Sequence, residues 1–151
     1  MPDKLRFAIV GCGLMGREFA SAAARWCHLA TDIPKPEIVG VCDINPAARA
    51  WFERNFPTLK HSTDNYRELI SKPDIDAVYC AVPHNLHAKF YVDIIHAEKH
   101  LLGEKPFGID KAANDIILEA VRSHPGVTVR CSSEFPFYPG CQELIKWINA
   151  G

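Results

Sequence analysis

The sequence predicts a doubly wound α/β fold, a parallel sheet with helices on both faces and strand order 3-2-1-4-5-6. Three observations carry this expectation. Six short apolar runs alternate with helical patterns from end to end. A G-x-G-x-x-G turn, Gly11-Cys12-Gly13-Leu14-Met15-Gly16, follows the first run and opens the first helix. An acid, Asp43, closes the second run. Crossovers between parallel strands are right-handed almost without exception, which makes that strand order the natural one.

The elements follow in turn. Leu5 to Val10 is a nearly continuous apolar run, as a strand covered on both faces requires. Leu14 to His28, rich in alanine, reads as a helix. Thr31 to Pro36 reads as a loop, because its two prolines cannot sit inside a helix. Glu37 to Cys42 is the second strand. Asn45-Pro46 then offers an N-cap followed by proline at the first helical position, for a helix running to about Asn55. A short third strand is expected over Leu59 to His61, with a short helix after Thr63-Asp64. Ala77 to Val82 is a strong fourth strand, and a helix follows from near Asn85 to near Ala97. His100 to Gly103 is the fifth strand. Asp110 caps a helix reaching about Ser123, Val127 to Cys131 is the sixth strand, and a last helix runs from about Gly140 to Ala150. No internal repeat or low-complexity tract interrupts this order.

The chain has 151 residues, 48% hydrophobic and 23% charged, which is one domain of ordinary size with a real core. Its net charge of -1, with both signs interspersed, lacks the concentrated basic face of a nucleic-acid binder. No apolar run approaches the ~20 residues of a membrane span. The start, Met1-Pro2-Asp3-Lys4, runs straight into a strand-like segment, so no signal peptide and a cytoplasmic location are expected. None of the six cysteines forms a C-x-x-C pair, so reduced thiols are expected. Cys42, Cys80 and Cys131 fall inside apolar runs, where cysteine behaves as a small buried hydrophobe.

Four features carry chemistry. In the glycine turn, Gly11 permits the tight turn, Gly13 lets backbone approach a pyrophosphate, and Gly16 lets helix pack on strand. The free amides and the dipole of the helix start favour phosphate charge. Asp43 can accept hydrogen bonds from adenosine ribose hydroxyls and repel a 2′-phosphate. It lies 27 residues past Gly16, the excess being the Thr31 to Pro36 loop. No arginine follows within the next few residues, so NAD is expected over NADP. An Asp before Asn45-Pro46 also suits a turn. The third feature, Ala81-Val82-Pro83-His84-Asn85-Leu86-His87, sits where the nicotinamide half of a dinucleotide should lie. His84 and His87 with Cys80 could suggest a metal, but Cys80 sits in the strand and no fourth ligand is evident, so none is expected. Contact with the ribose or nicotinamide competes there with simple capping and packing. Finally, Glu104-Lys105-Pro106 places a lysine at the carboxyl edge of the sheet. It could stabilise an alkoxide as hydride leaves, or stand as an ordinary solvated surface ion pair.

These residues resemble the Gfo/Idh/MocA family, named for glucose-fructose oxidoreductase and inositol dehydrogenase. The likeness spans nearly the whole chain and rests on FAIVGCGLMG, VGVCDIN, PDIDAVYCAVPHNLHAKF and HLLGEKPFGID. It implies an NAD(P)-dependent oxidoreductase acting on a sugar, cyclitol or related polyhydroxylated compound. It also implies a second domain, built on a large open β-sheet, that walls in substrate and mediates homo-oligomers. On this reading residues 1–151 are the dinucleotide-binding domain alone, truncated before the second. Cofactor contacts are expected at Gly11, Gly13, Leu14, Met15, Gly16, Asp43, Ile44, Ala81, Val82, Pro83, His84, His87, Glu104 and Lys105. Lys105 would touch substrate and nicotinamide as the catalytic residue. The bond before Pro106 is often cis in the family. The family's catalytic histidine comes from the second domain and has no counterpart here. Ser132 to Phe137 departs from the pattern: Glu134 and Pro136 stand where many members carry asparagine and arginine, which suits a hydroxylated substrate better than a carboxylate. Two other readings stand beside this one. One is a non-enzymatic NAD(P)-binding sensor of the same family, and the other is an aspartate- or homoserine-pathway dehydrogenase sharing the first domain.

Overall fold

The computed structural model describes residues 3–30 and 32–151. The expectations at Met1, Pro2 and Thr31 lie outside them. The chain alternates β1 (Lys4–Val10), α1 (Leu14–Ala24), β2 (Lys35–Cys42), α2 (Pro46–Asn55), β3 (His61–Thr63) and α3 (Tyr66–Ile70). It continues with β4 (Ala77–Cys80), α4 (His87–His96), β5 (His100–Glu104), α5 (Lys111–Ser123), β6 (Val129–Ser132) and α6 (Pro139–Ala150). The strands form one six-stranded sheet in the order β3-β2-β1-β4-β5-β6, and every pairing is parallel. The expected fold is the observed one.

The four inner strands, β1, β2, β4 and β5, feed both faces of the sheet. Ala8 and Val10 of β1 enter a core with Val78, Tyr91, Ile94 and Ile117, under α3, α4 and α5. Ile9, between them, enters a second core with Tyr79, Ala20 and Phe52, under α1 and α2. In β2 the register against β1 slips by one residue between Ile38 and Gly40. This bulge puts Val39 in the first core and Val41 in the second, where strict alternation would have put them together. Burying a side chain such as Ile9 or Leu101 contributes about 1.5–3 kcal/mol each, so the two cores are what hold the sheet between its helix layers.

Several boundaries differ from expectation, for physical reasons. α1 stops at Ala24, and Trp26–His28 form a separate 3-10 turn, because the backbone leaves the helical region at Arg25. β2 starts earlier, at Lys35, and includes Pro36. β3 pairs with β2 only from Gly40 onward, so the proline lies where that side of β2 has no partner to bond. β3 itself lies at His61–Thr63, since the Leu59 amide is spent closing a turn to the Phe56 carbonyl at 3.1 Å. β4 ends at Cys80, and a 3-10 turn at His84–Leu86 precedes α4. β6 is an edge strand, and Cys131 on it is exposed rather than buried. Two expected caps are seen: Asn45 Oδ1 accepts from the Ala47 amide at 3.0 Å, and Asp110 Oδ1 from the Ala113 amide at 2.8 Å, whereas Asn85 lies inside the 3-10 turn and α4 starts after Leu86 with no side-chain cap. All six cysteines are free. Among the described residues no helix is long and apolar enough to cross a membrane.

Candidate functional site

The carboxyl ends of β1, β2, β4 and β5 converge on one edge of the sheet, where β1 and β4 lead to opposite sides. The glycine turn lies between them. Gly11 has φ +97°, its amide donates to the Cys42 carbonyl at 2.9 Å, and a Cβ there would stand 2.5 Å from the Ala81 carbonyl oxygen. A Cβ on Gly16 would stand 2.3 Å from the Gly11 carbonyl oxygen, so α1 could not pack this close to β1 with any other residue. A Cβ on Gly13 would meet nothing within 4 Å, which leaves that backbone open to an incoming group. Gly13 is also the N-cap of α1, with no side-chain cap and no acid in the first turn. The first amides of α1 therefore remain free for an anion.

Asp43 stands directly after β2. Its carboxylate accepts from the Cys12 amide and from the Asn45 amide, both at 2.8 Å. It thus holds the glycine turn and the start of α2 at once, which is the turn role the sequence left open. Each carboxylate oxygen keeps a second lone pair for another donor. Arg49, one turn into α2, donates to the Asp43 carbonyl at 2.5 Å. No arginine stands within the next few positions after Asp43, but one turn of α2 brings Arg49, six residues on, back to its carbonyl.

Two clefts flank the turn. One, of about 410 Å³, is lined by Gly11, Gly13, Asp43, Ile44, Tyr66 and Leu86, among others. The second, of about 470 Å³, is lined by Met15, Ala81, Val82, Pro83, His84, Glu104 and Lys105. Ala81, Val82 and Pro83 border both. The two clefts adjoin at these three residues and together make a trough, with Asp43 lining one part and Lys105 the other. Met15 and Ile44 are exposed apolar side chains lining it, and Leu14, exposed at the start of α1, lines neither cleft. Asp64, from the β3–α3 connection, and Tyr66, which opens α3, line the first cleft and were not anticipated. Their signal was only that they follow a short strand.

At the other end, Lys105 is exposed and the Lys105-Pro106 bond is cis. Glu104 is buried: its Oε1 accepts from the Tyr79 hydroxyl at 2.6 Å and its Oε2 from the Lys105 amide at 3.2 Å. His84 is exposed beside the second cleft. His87 is not. It is fully buried, with both ring nitrogens facing protein oxygens, so the structure places it beneath the site rather than against a ligand. That corrects its expected role as a cofactor contact. Glu134 and Pro136 line a separate depression beside β6.

Burial pushes the thiols of Cys12, Cys42 and Cys80 up to about 12, so none of them supplies a thiolate nucleophile. Among the described residues no three His, Cys, Asp or Glu side chains gather as a metal site.

The model of the Gfo/Idh/MocA oxidoreductase family, NAD-binding Rossmann fold, matches residues 5–131. The chain belongs to that family. It is 29% identical over 152 residues to an uncharacterized oxidoreductase, YrbE, of Bacillus subtilis, covering 100% of this chain and 42% of that protein. It is 28% identical over 145 residues to scyllo-inositol 2-dehydrogenase (NADP(+)) of the same organism, covering 96% of this chain and 42% of that one. A scyllo-inositol dehydrogenase from Lactobacillus casei, solved with bound NAD(H) and scyllo-inositol, shares the fold with a TM-score of 0.81. It is 21% identical and covers 98% of this chain and 42% of that one. The chain thus spans about two-fifths of the length of these relatives, and it is a Gfo/Idh/MocA dinucleotide-binding Rossmann domain.

Proposed function

We propose that this domain holds NAD for a protein that moves hydride between nicotinamide and a carbinol carbon of a sugar, cyclitol or related polyol. The observation that carries this reading is the pair of adjoining clefts beside the glycine turn, sharing Ala81, Val82 and Pro83, with Asp43 lining one and Lys105 the other. The trough suits a dinucleotide. The pyrophosphate would lie over Gly13 and the free amides of α1, the adenosine half in the Asp43 cleft, and the nicotinamide half in the Lys105 cleft. The bound nicotinamide would supply the hydride acceptor or donor. Relatives named as acting on inositols support the substrate class.

The chain's own residues would then act as follows. Asp43, already fixed by two amides, offers its remaining lone pairs to the ribose hydroxyls and opposes a 2′-phosphate, which favours NAD. The Arg49 guanidinium is engaged at the Asp43 carbonyl, which leaves less of it for a 2′-phosphate. Lys105 donates to the substrate oxygen and would stabilise the alkoxide formed when its proton is taken, before hydride leaves, or the negative charge that develops there as hydride arrives in the reverse direction. Met15, Ile44 and Val82 would provide apolar walls that exclude water. The rest of the natural chain would close the substrate side and contribute the proton acceptor.

The test is turnover by the intact protein on a panel of inositols, hexoses and their alcohols with NAD⁺. Lys105→Ala is expected to lower kcat on the order of 10²–10³-fold. Full activity in that variant would remove Lys105 from the chemistry. NADH binding with no turnover across the panel would favour a sensor instead.

A further inference from the structure

Among the described residues, two polar side chains are buried, His87 and Glu104, and both lie at the Lys105 corner. His87 opens α4. Its Nε2 lies 3.0 Å from the Val82 carbonyl oxygen and its Nδ1 lies 2.7 Å from the Pro106 carbonyl oxygen. The Tyr91 hydroxyl is 3.2 Å from the same Nδ1, but its single hydrogen is given to the Glu104 carbonyl at 2.7 Å. A Cβ on Gly103 would stand 2.5 Å from the Tyr91 ring, so the glycine is what lets that ring reach the loop. Toward His87, Val82, Pro106 and Tyr91 therefore all present acceptor oxygens.

A neutral imidazole has one N–H and one bare lone pair. Whichever nitrogen were bare would face an oxygen at 2.7 or 3.0 Å, lone pair against lone pair. Only a ring with a proton on each nitrogen satisfies both carbonyls. The groups facing it are the Tyr91 hydroxyl from α4, the His84 ring 5.4 Å away in the preceding turn, and the Pro106 carbonyl; the Glu104 carboxylate on the same segment is engaged by the Tyr79 hydroxyl and the Lys105 amide.

We propose that His87, as the doubly protonated imidazolium, ties the Val82 carbonyl to the Pro106 carbonyl and so positions Lys105 against the substrate. The two loops it joins both line the second cleft, one through Val82 and Pro83 and the other through Glu104 and Lys105. His87 touches neither substrate nor cofactor. It is a positioning residue, and its effect on turnover rests on the role of Lys105 given above.

Two measurements on the intact protein test this. Ring ¹⁵N–¹H NMR at neutral pH should show a proton on both His87 nitrogens; a single ring N–H would overturn the bridge. His87→Gln, whose amide cannot donate in two opposed directions, should lower kcat about ten- to a hundred-fold while NADH affinity changes little. The same substitution made in Lys105→Ala should lower kcat no further. An equal loss in both backgrounds would reduce His87 to general packing and sink the positioning role. If Lys105→Ala itself keeps full activity, the lysine chemistry fails and the positioning role fails with it. The NMR result then still decides the bridge, so the two failures are told apart.

Discussion

Asp43 shows how one side chain serves two ends of an argument. Its carboxylate accepts from two backbone amides that would otherwise lack partners, those of Cys12 and Asn45. Asp43→Ser should therefore cost about 1–3 kcal/mol of stability, read as a lowered melting temperature. It should also raise the ratio of NADPH to NADH affinity, read by fluorescence titration; an unchanged ratio would remove Asp43 from cofactor choice. Tyr79→Phe tests the buried Glu104, which would lose its 2.6 Å hydroxyl donor; about 1–3 kcal/mol should again be lost, and no loss would mean water replaces the hydroxyl. At this scale the sequence was legible where chemistry is local. The glycines, Asp43 and Lys105 sit at strand ends that their own neighbours define. His87 was misplaced because spacing brought it beside the site, whereas burial and two facing carbonyls are tertiary facts. Arg49 was missed because helix geometry, not sequence distance, returns it to Asp43.

At the scale of elements, signals with a mechanism were the readable ones. Asn45-Pro46 and Asp110 start α2 and α5 where their capping chemistry requires. Asp110→Ala should cost about 1 kcal/mol, read by chemical denaturation, with loss of the Ala113 amide bond as the cause. Strand ends were less readable, because they depend on which neighbour is present at each residue. Pro36 belongs to β2 only because β3 is too short to reach it. The entry to β4 is tied to β1 by Asp76, which accepts from the Arg6 amide at 2.8 Å and from its guanidinium at 2.9 and 2.5 Å. Those hydrogen bonds hold the Asp76 carboxyl below its ordinary 3.8. The folded state therefore favours the ionised form. This contribution is present above pH 3.8 and fades as pH falls through the lower folded value. Asp76→Asn should flatten the acid limb of the stability–pH curve; a limb as steep as the parent's would assign acid sensitivity elsewhere.

For the whole molecule, strand order was the most secure expectation, because handedness and alternation leave few arrangements for six strands and their helices. The two cores then place the ends of β1, β2, β4 and β5 on a single edge, and the trough is a consequence of that edge. What was not legible is how far the two clefts are continuous, since that depends on Ala81, Val82 and Pro83 bordering both. The most direct measurement of a single dinucleotide site is an amide ¹H–¹⁵N NMR titration of this chain with NADH. Saturable shifts are expected together at residues 11–16, at Asp43 and Ile44, at Ala81, Val82 and His84, and at Glu104 and Lys105, all with one dissociation constant. Shifts confined to one cleft, or absent from the glycine turn, would contradict it.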